Sequence, residues 1–268
     1  MAADHPDLAW TDTIVLIHGL WMTAPSWERW IRRYQARGYR VLAPDWPGLV
    51  AAPGIADLGV IEITDHYDRL ICSLDRAPVI IGHSVGGLVV QLLLDRGLGA
   101  AGVAIGGAPA KGVTSWPFPM LRFAFLALHN PLRRHQAISL TPRQFRRAFT
   151  STLSPQEAIA VRERYYVPAP ARTIRQVGLA NFAPHAATRV DFGRARRAPL
   201  LLIAGGRDRI FPAAVTRSTL DRYRKSAAVT AYKEFPERSH YTIGEPGWEE
   251  VADYALRWAM ERVHGNET

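Results

Sequence analysis

Three side chains that could together transfer an acyl group each follow a different apolar run of the sequence. Ser84 lies within Gly82-His83-Ser84-Val85-Gly86, and Asp208 and His240 come later in the chain. A serine hydroxyl is a weak nucleophile until a base removes its proton, and a histidine serves as that base when an acid orients it. We therefore predict Ser84 as the nucleophile, His240 as the base and Asp208 as the orienting acid.

The surroundings of Ser84 favour a nucleophile on a sharp turn. Val79-Ile80-Ile81 is typical of a buried strand, and the apolar run 88–94 that follows the turn is typical of a buried helix. A serine two residues from each of two glycines, between a strand and a helix, is the context in which G-x-S-x-G has chemical meaning. The alternative interpretation is a glycine-rich turn in another kind of α/β protein.

Position in the chain selects the other two residues of the predicted triad. His240 is the only one of nine histidines that follows a core strand and lies downstream of a candidate acid. Asp208 follows the apolar run 200–204 through Gly205-Gly206-Arg207. The alternatives are that His240 caps a surface loop and that Asp208 is an ordinary turn or helix-capping residue.

The oxyanion of an acyl transfer needs two N–H donors, which we assign to Val85 and Leu20. His18-Gly19 is expected to shape the turn before Leu20, with His18 bonded to backbone and not acting as a base.

The elements that must position these residues alternate between strand and helix. Repeated buried strands with helical crossovers predict an α/β fold with a mostly parallel, doubly wound sheet. Ligand sites in such sheets lie at the carboxyl ends of the strands. The polar residues that follow the predicted ends are His18, Asp45, Ser84, Asp208 and His240. The predicted strands are 13–17, 39–43, 79–81, 102–106, 200–204 and 229–235, and the main predicted helices are 27–37 with Ser26 as its cap, 62–76, 88–94, 213–223 and 248–263.

The pattern changes between Lys111 and Arg197, where no strand-like run is found. Four helices are predicted there, at 119–129, 142–151, 155–166 and 171–182, and Ser154-Pro155-Gln156-Glu157 fits a capping box. This segment holds 15 Lys/Arg and 3 Asp/Glu, a charge of +12, against −3 for the rest of the chain. Such an excess indicates an acidic partner or an anionic substrate, or else a solvated arginine-rich helical face.

Composition bounds the remaining functions. The chain has 268 residues, of which 48% are hydrophobic and 21% charged, as in an ordinary globular protein. We expect no metal site and no cofactor, because C-x-x-C, H-E-x-x-H and phosphate-loop motifs are absent. The single cysteine, Cys72, cannot form a disulfide within the chain. Without a nucleic-acid recognition motif, a basic-then-apolar leader or about 18 consecutive apolar residues, we expect no nucleic acid partner, no stable membrane insertion and a cytoplasmic location. The oligomeric state stays open.

These motifs together resemble the serine-nucleophile branch of the α/β-hydrolase family, from about Thr13 to Val263. The matching residues, in the family's order, are His18-Gly19, Gly82-His83-Ser84-Val85-Gly86-Gly87, Gly206-Arg207-Asp208 with Pro212, and His240. The resemblance implies a Ser84–His240–Asp208 triad, an oxyanion hole from Leu20 and Val85, a core of residues 1–110 and 198–268, and an inserted helical cap at 111–197. Two features depart from the family's pattern. The residues before Thr13 leave almost no room for the usual two leading strands, which predicts fewer than eight strands. Pro44-Asp45-Trp46-Pro47-Gly48 is similar to the family's D-x-x-G turn but has Trp46 and Pro47 where arginine and glycine are often found.

The resemblance implies an esterase or lipase-like enzyme that acts on a carboxylic ester of a small or medium apolar acid. The partner would be a small-molecule acyl substrate. Alternatives with the same triad are a thioesterase, an acyltransferase, a C–C bond hydrolase or a lyase, and a further one is a ligand-binding receptor. Trp21, His83, Trp116 and Phe123 are candidates for the substrate pocket. Phe118, Phe125 and Phe149 could line the same pocket, or these aromatic residues could form the core of the cap.

Overall fold

A parallel sheet forms the centre of the molecule. The structure, a computed structural model, describes residues 11–49, 57–114 and 137–265. Its strands are β1 (Thr13–Ile17), β2 (Arg40–Leu42), β3 (Val79–His83), β4 (Ala101–Ile105), β5 (Ala137–Ile138), β6 (Ala169–Pro170), β7 (Leu200–Gly205) and β8 (Thr230–Phe235). Six of them form one sheet in the order β2-β1-β3-β4-β7-β8, and every neighbouring pair is parallel. The described sheet thus has fewer than eight strands, as predicted.

Burial of the strands follows their place in the sheet. Every residue of β1, β3, β4 and β7 is buried, whereas the edge strands β2 and β8 are mostly half-buried. A parallel strand that is covered on both faces cannot alternate apolar and polar side chains, so it reads as a continuous apolar run. This is why the sequence pattern identified the central strands to within one or two residues.

Helices cover both faces of this sheet. They are α1 (Glu28–Gln35), α2 (Val60–Cys72), α3 (Val85–Asp95), α4 (Pro142–Ala148), α5 (Pro155–Tyr165), α6 (Ala171–Gly178), α7 (Ala213–Tyr223) and α8 (Trp248–His264). Val90 and Leu94 of α3 lie against Gly102 of β4. Side chains alternate along a strand, so Val103 faces the other side, where α8 contacts β4. The predicted doubly wound α/β architecture is confirmed. No helix in the described ranges is long and apolar enough to cross a membrane.

The segment between β4 and β7 is helical but not wholly so. α4, α5 and α6 confirm three of the predicted helices, whereas the helix predicted at 119–129 lies outside the described residues. The expectation that this segment has no strand was wrong, because β5 and β6 pair antiparallel. Two-residue strands are too short to show alternation, and Pro170 within β6 argues against a strand. The division into a core and a cap at 111–197 stays a prediction.

Local hydrogen bonds decide where several helices begin. The capping box of Ser154 and Glu157 at α5 is confirmed, and a second one, formed by Thr141 and Gln144, starts α4. The prediction that Ser26 caps the first helix was wrong. Ser26 lies inside a short 3₁₀ helix, Ala24–Trp27, and its hydroxyl donates to the Thr23 carbonyl at 2.7 Å.

Part of the positive charge between β4 and β7 is paired with the rest of the chain. Arg164 of α5 binds Glu28 of α1 with two hydrogen bonds of 2.7 and 2.6 Å, and Arg172 of α6 lies 2.6 Å from Glu62 of α2. Opposite charges on two segments therefore attract each other within the molecule. The acidic partner or anionic substrate expected from the charge excess stays a prediction.

Candidate active site

The carboxyl ends of the central strands lie side by side at one edge of the sheet. Ile17 is opposite Gly82, His83 is opposite Ile105, and Ile105 is opposite Ile203. The residues that follow these positions therefore project from the same edge. Three of the sequence-selected residues, His18, Ser84 and Asp208, come directly or within a few residues after β1, β3 and β7.

Ser84 lies on a strained turn, and the glycines on either side of it allow the backbone to pack closely there. Its backbone has φ 57° and ψ −120°, outside the regions that L-residues readily adopt. A Cβ at Gly82 would lie 2.1 Å from the Gly86 carbonyl oxygen, and a Cβ at Gly86 would lie 2.2 Å from the Ile17 oxygen. The strand, the turn and α3 can approach this closely only without those Cβ atoms, which explains the G-x-S-x-G spacing.

The loop after β1 lies directly against Ser84. A Cβ at Gly19 would be 2.6 Å from the Ser84 Cβ and 3.2 Å from its Oγ. Leu20 is the next residue of this loop, and Val85 is the first residue of α3, where helix N–H groups have no partner within the helix. In the described part of the chain, the N–H groups of Leu20 and Val85 donate none of the hydrogen bonds formed outside helices and strands. The assignment of these two groups as the donors to an oxyanion at Ser84 stays a prediction.

His240 and Asp208 form a buried hydrogen-bonded pair. The His240 Nδ1–H donates to Asp208 Oδ2 at 2.7 Å, and both side chains have zero exposure. The other carboxylate oxygen of Asp208 accepts the N–H groups of Ile210 and Phe211 at 2.7 and 2.9 Å. Asp208 is thus fixed by its own turn, with one oxygen directed at the imidazole. This bond assigns the Nδ1–H tautomer to a neutral His240 and leaves Nε2 as an acceptor.

The second nitrogen of His240 is buried and has no hydrogen-bond partner among the described residues. Aromatic rings pack edge-on against the imidazole, with centroid distances of 5.0 Å to Phe149 and 5.6 Å to Phe211. Phe149 comes from the loop after α4 and Phe211 from the turn after β7. An imidazole nitrogen in such apolar surroundings can take a proton from a neighbouring hydroxyl with little competition from water.

His18 supports the loop before Leu20, as predicted. Its Nδ1–H donates to the Gly19 carbonyl at 3.0 Å, and its Nε2 accepts the Trp46 N–H at 3.3 Å. Burial lowers the pKa of His18 to about 4. Asp45, the remaining polar residue after a strand, accepts the Ala24 N–H at 2.7 Å. Both residues thus hold backbone, and neither nitrogen of His18 is available as a base.

A match to a family model identifies the family of proteins to which this chain belongs. The model of the alpha/beta hydrolase family matches residues 14–254. The chain belongs to the alpha/beta hydrolase family. The matched range includes Ser84, Asp208 and His240, so the elements that carry all three are those of a known hydrolase fold.

Solved structures show the same fold at low sequence identity. A monoacylglycerol lipase of Paleococcus ferrophilus is 23% identical, with a TM-score of 0.67 over 93% of this chain and 94% of that one. An extracellular alpha/beta-hydrolase from a Paenibacillus species is 20% identical, with a TM-score of 0.69 over 92% and 98% of the two chains. A thermophilic esterase from Thermogutta terrifontis is 18% identical, with a TM-score of 0.69 over 94% and 90%. These likenesses establish the architecture of the hydrolase.

A local sequence match extends the comparison. The hydrolase is 32% identical over 84 residues to a pyrethroid hydrolase of Sphingobium wenxiniae. The match spans 30% of this chain and 29% of that relative's length. The similarity is therefore confined to a part of both chains.

His83 lies directly behind the backbone of His240 in the hydrolase. It was a candidate for the substrate pocket, but the residue has zero exposure and its Nε2–H donates to the His240 carbonyl at 2.7 Å. Burial, followed by the charge of a protonated His240, holds the pKa of His83 well below its ordinary value. The His83 ring thus fixes the backbone of His240, and the expectation that it lines the substrate pocket stays a prediction.

Trp21, the second described pocket candidate, is mostly buried at 5% exposure. Its backbone has φ 60°, a left-handed conformation that is rare for a bulky residue. The indole N–H donates to the Ile138 carbonyl at 2.8 Å, and the Trp21 carbonyl accepts the Val167 N–H at 3.3 Å. These bonds join the loop that carries Leu20 to the segment between β4 and β7. Trp116 and Phe123 lie outside the described residues.

Sequence reasoning missed several side chains that hold the site. Glu245 was not selected, although it is 3% exposed and binds the residue before His240. A glutamate five residues after a candidate base and next to Pro246 was the available signal. Phe211, in contact with His240, was detectable only as an apolar residue in a turn. Within residues 11–49, 57–114 and 137–265, no three His, Cys, Asp or Glu side chains are grouped to hold a metal ion.

Proposed function

We propose that this alpha/beta hydrolase cleaves a carboxylic ester of a small or medium apolar acid through an acyl-enzyme on Ser84. The observation that carries the proposal is the buried bond of 2.7 Å between His240 and Asp208, at the sheet edge where Ser84 lies on a strained turn. A serine on such a turn beside an oriented imidazole has one well-known use, nucleophilic attack on a carbonyl.

Acylation follows from the positions of the hydrogen atoms. Nε2 of His240 takes the Ser84 hydroxyl proton while Oγ attacks the ester carbonyl, and Asp208 stabilises the imidazolium through Nδ1–H. The oxyanion accepts the N–H groups of Leu20 and Val85, which the positive end of α3 reinforces at Val85. His240 then returns the proton to the leaving alcohol, and the acyl group stays on Ser84.

Deacylation repeats these steps with water as the nucleophile. His240 takes a proton from water, the hydroxide attacks the acyl carbonyl, and the same two N–H groups hold the second oxyanion. Collapse of this intermediate returns the proton to Ser84 and releases the free acid. Each atom that enters as ester and water leaves as alcohol and acid, so no cofactor is required.

The comparisons support ester cleavage as the reaction. Two of the structural neighbours are described as a monoacylglycerol lipase and an esterase, names that denote ester-cleaving enzymes. The apolar acid of the proposed substrate rests on the surroundings of His240, where the rings of Phe149 and Phe211 pack. An apolar acyl group loses less hydration in such surroundings than a charged one.

A covalent probe and an ester panel test the proposal. A fluorophosphonate should label the wild-type protein and fail to label Ser84→Ala, while Ser73→Ala, at an exposed serine, should be labelled as the wild type. Turnover of p-nitrophenyl acetate, butyrate and octanoate should fall by about 10⁴-fold or more in Ser84→Ala. An unlabelled Ser84 in folded protein contradicts the proposal. Labelling without ester turnover points to thioester, acyl-transfer, C–C or lyase chemistry on the same residues.

A further inference from the structure

Glu245 is a buried carboxylate beside His240 that the proposed mechanism does not use. It lies between the loop of His240 and α8, and it is 3% exposed. Its Oε1 accepts the Ser239 N–H at 2.8 Å, and its Oε2 accepts the Ser239 hydroxyl at 3.3 Å. Oε2 also accepts the hydroxyl of Thr152, from the loop between α4 and α5. Three donors therefore converge on one carboxylate next to the predicted base.

Neutral donors alone hold this carboxylate. Among the described residues, no lysine, arginine or histidine lies within 4.0 Å of Glu245 as an ion-pair partner. Removing a carboxylate from water is costly unless its oxygens are hydrogen-bonded. Hydrogen bonds to a charged acceptor are shorter and stronger than those between neutral groups. Two of the three donors belong to Ser239, the residue that precedes His240.

We propose that Glu245 is a positioning residue that holds the His240 imidazole in line with Ser84. This inference rests on the proposed function, in which His240 is the base. Successive backbone groups of the loop are held from different sides: Ser239 N–H by Glu245, the His240 carbonyl by His83, and the Tyr241 N–H by the Phe149 carbonyl at 2.9 Å. Rotation of the loop that turns Nε2 away from Ser84 has to break these bonds.

The two oxygens of Glu245 connect different parts of the molecule. Oε1 holds only the loop of His240, whereas Oε2 joins that loop to Thr152. The Thr152 bond adds to the contact of the Phe149 ring with His240 at 5.0 Å. The segment between β4 and β7 therefore reaches the loop of the predicted base by three routes: a hydrogen bond through Glu245, the bond of the Phe149 carbonyl to the Tyr241 N–H, and a ring contact. Loss of the Thr152 bond leaves Oε1 in place, so it should matter less than loss of Glu245.

Four variants separate positioning from stability. Glu245→Leu removes all three acceptor contacts at similar size, Glu245→Gln keeps a carbonyl acceptor for Ser239, and Thr152→Val removes one donor. Glu261→Gln changes an exposed glutamate of α8 and serves as the control. We expect kcat for p-nitrophenyl butyrate to fall by about tenfold to a hundredfold in Glu245→Leu with KM little changed, because a small misplacement of a catalytic group lowers the rate by this order. Glu245→Gln should restore most of kcat, and Thr152→Val should lose less than Glu245→Leu.

Proton NMR gives a readout that needs no turnover. The Nδ1–H of His240, bonded to a buried carboxylate, should appear as a low-field resonance in the wild type, and His240→Gln identifies it. We expect this resonance to shift or broaden in Glu245→Leu at a temperature where circular dichroism shows the variant folded. A lower Tm with wild-type kcat and an unchanged resonance overturns the inference. If the wild type turns over no ester, the proposed function fails, and the resonance still decides whether Glu245 positions His240.

Discussion

The nucleophile and the base of the candidate site are held in place by different kinds of force. Ser84 owes its position to backbone packing, since Gly19, Gly82 and Gly86 each leave no room for a Cβ. His240 owes its position to buried polar side chains, with Asp208 on its ring and His83 on its carbonyl.

This difference has a physical consequence. A steric constraint is insensitive to pH and salt, but one methyl group can destroy it, because packed interiors have no spare volume. A polar network tolerates changes of volume better, but it weakens when a donor or an acceptor is lost. The two halves of the site should therefore respond to different substitutions.

The largest effect is expected on the steric side. In Gly19→Ala the new methyl group would lie 2.6 Å from the Ser84 Cβ, so the turn or the loop must move. We expect kcat/KM for an activated ester to fall by about a hundredfold, because a displacement of this order misaligns the reacting atoms. Gly193→Ala, whose methyl group meets only Asp191 Oδ1 at 3.4 Å, is the matched control. Wild-type kinetics in folded Gly19→Ala contradict the steric account.

A smaller effect is expected on the polar side. His83→Leu removes the N–H donor to the His240 carbonyl and leaves that carbonyl buried without a partner. We expect kcat to fall by about tenfold, equivalent to about 1.4 kcal/mol of transition-state stabilisation. The single-turnover rate of His83→Gln, which keeps an N–H donor, should lie between the rates of His83→Leu and the wild type. Equal rates for His83→Leu and the wild type show that the bond from His83 is not needed to orient His240.

The loop before Leu20 should respond to acid. The folded pKa of His18 is about 4 against an ordinary value of 6.5, so the unfolded chain binds the proton more readily between these values. Stability is then fully present above about pH 6.5 and falls as the pH decreases toward 4, by up to about 3 kcal/mol from this residue. Urea unfolding at several pH values should show a flatter dependence in His18→Asn and an unchanged one in His185→Asn, a surface control. An equal slope in all three proteins excludes His18 as the source.

The smallest effect is expected where α5 meets α1, at the ion pair of Arg164 and Glu28. The Arg164 guanidinium, with Tyr165, lowers the pKa of Glu28 to about 2 from an ordinary 4.5. This pair stabilises the protein above about pH 4.5, and the contribution is lost as the pH falls through 2. Glu28→Gln should lower Tm by about 2 °C at pH 7, since water screens the half-exposed pair. Its Tm should approach that of the wild type near pH 2, and its kcat should stay unchanged.

The parts of the molecule that follow a single local rule were predictable. β1 and α7 have the predicted bounds, and the other described strands of the main sheet differ from prediction by one or two residues. Their signals are continuous apolar runs and helical periodicity, which depend on neighbours in the sequence. Ser84, Asp208 and His240 were selected because carboxyl ends of parallel strands share one edge, a rule that needs only the order of elements.

Features that depend on contacts between distant residues were not predictable. Ser26 is a good cap by type, but its hydroxyl bonds to Thr23 within a 3₁₀ turn. More than 30 residues of the chain separate β5 from β6, which pair with each other. Each of these strands is too short to leave a pattern in the sequence. Glu245 is charged and follows no periodicity, so only its burial against Ser239 and Thr152 reveals it.

The amino-acid sequence by itself determined the parallel sheet, the turn at Ser84 and the identity of the three residues that could transfer an acyl group. These depend on residue type and order, which steric limits and burial convert into elements in only a few ways. The tertiary structure decided how those residues are held. His83 bonds to the His240 carbonyl, and Glu245 bonds to Ser239. The segment between β4 and β7 bonds to the loop that carries Leu20, through Trp21, and to Glu245 beside the loop of His240. Such contacts join residues far apart in the chain, and their energies depend on a geometry that no local pattern contains.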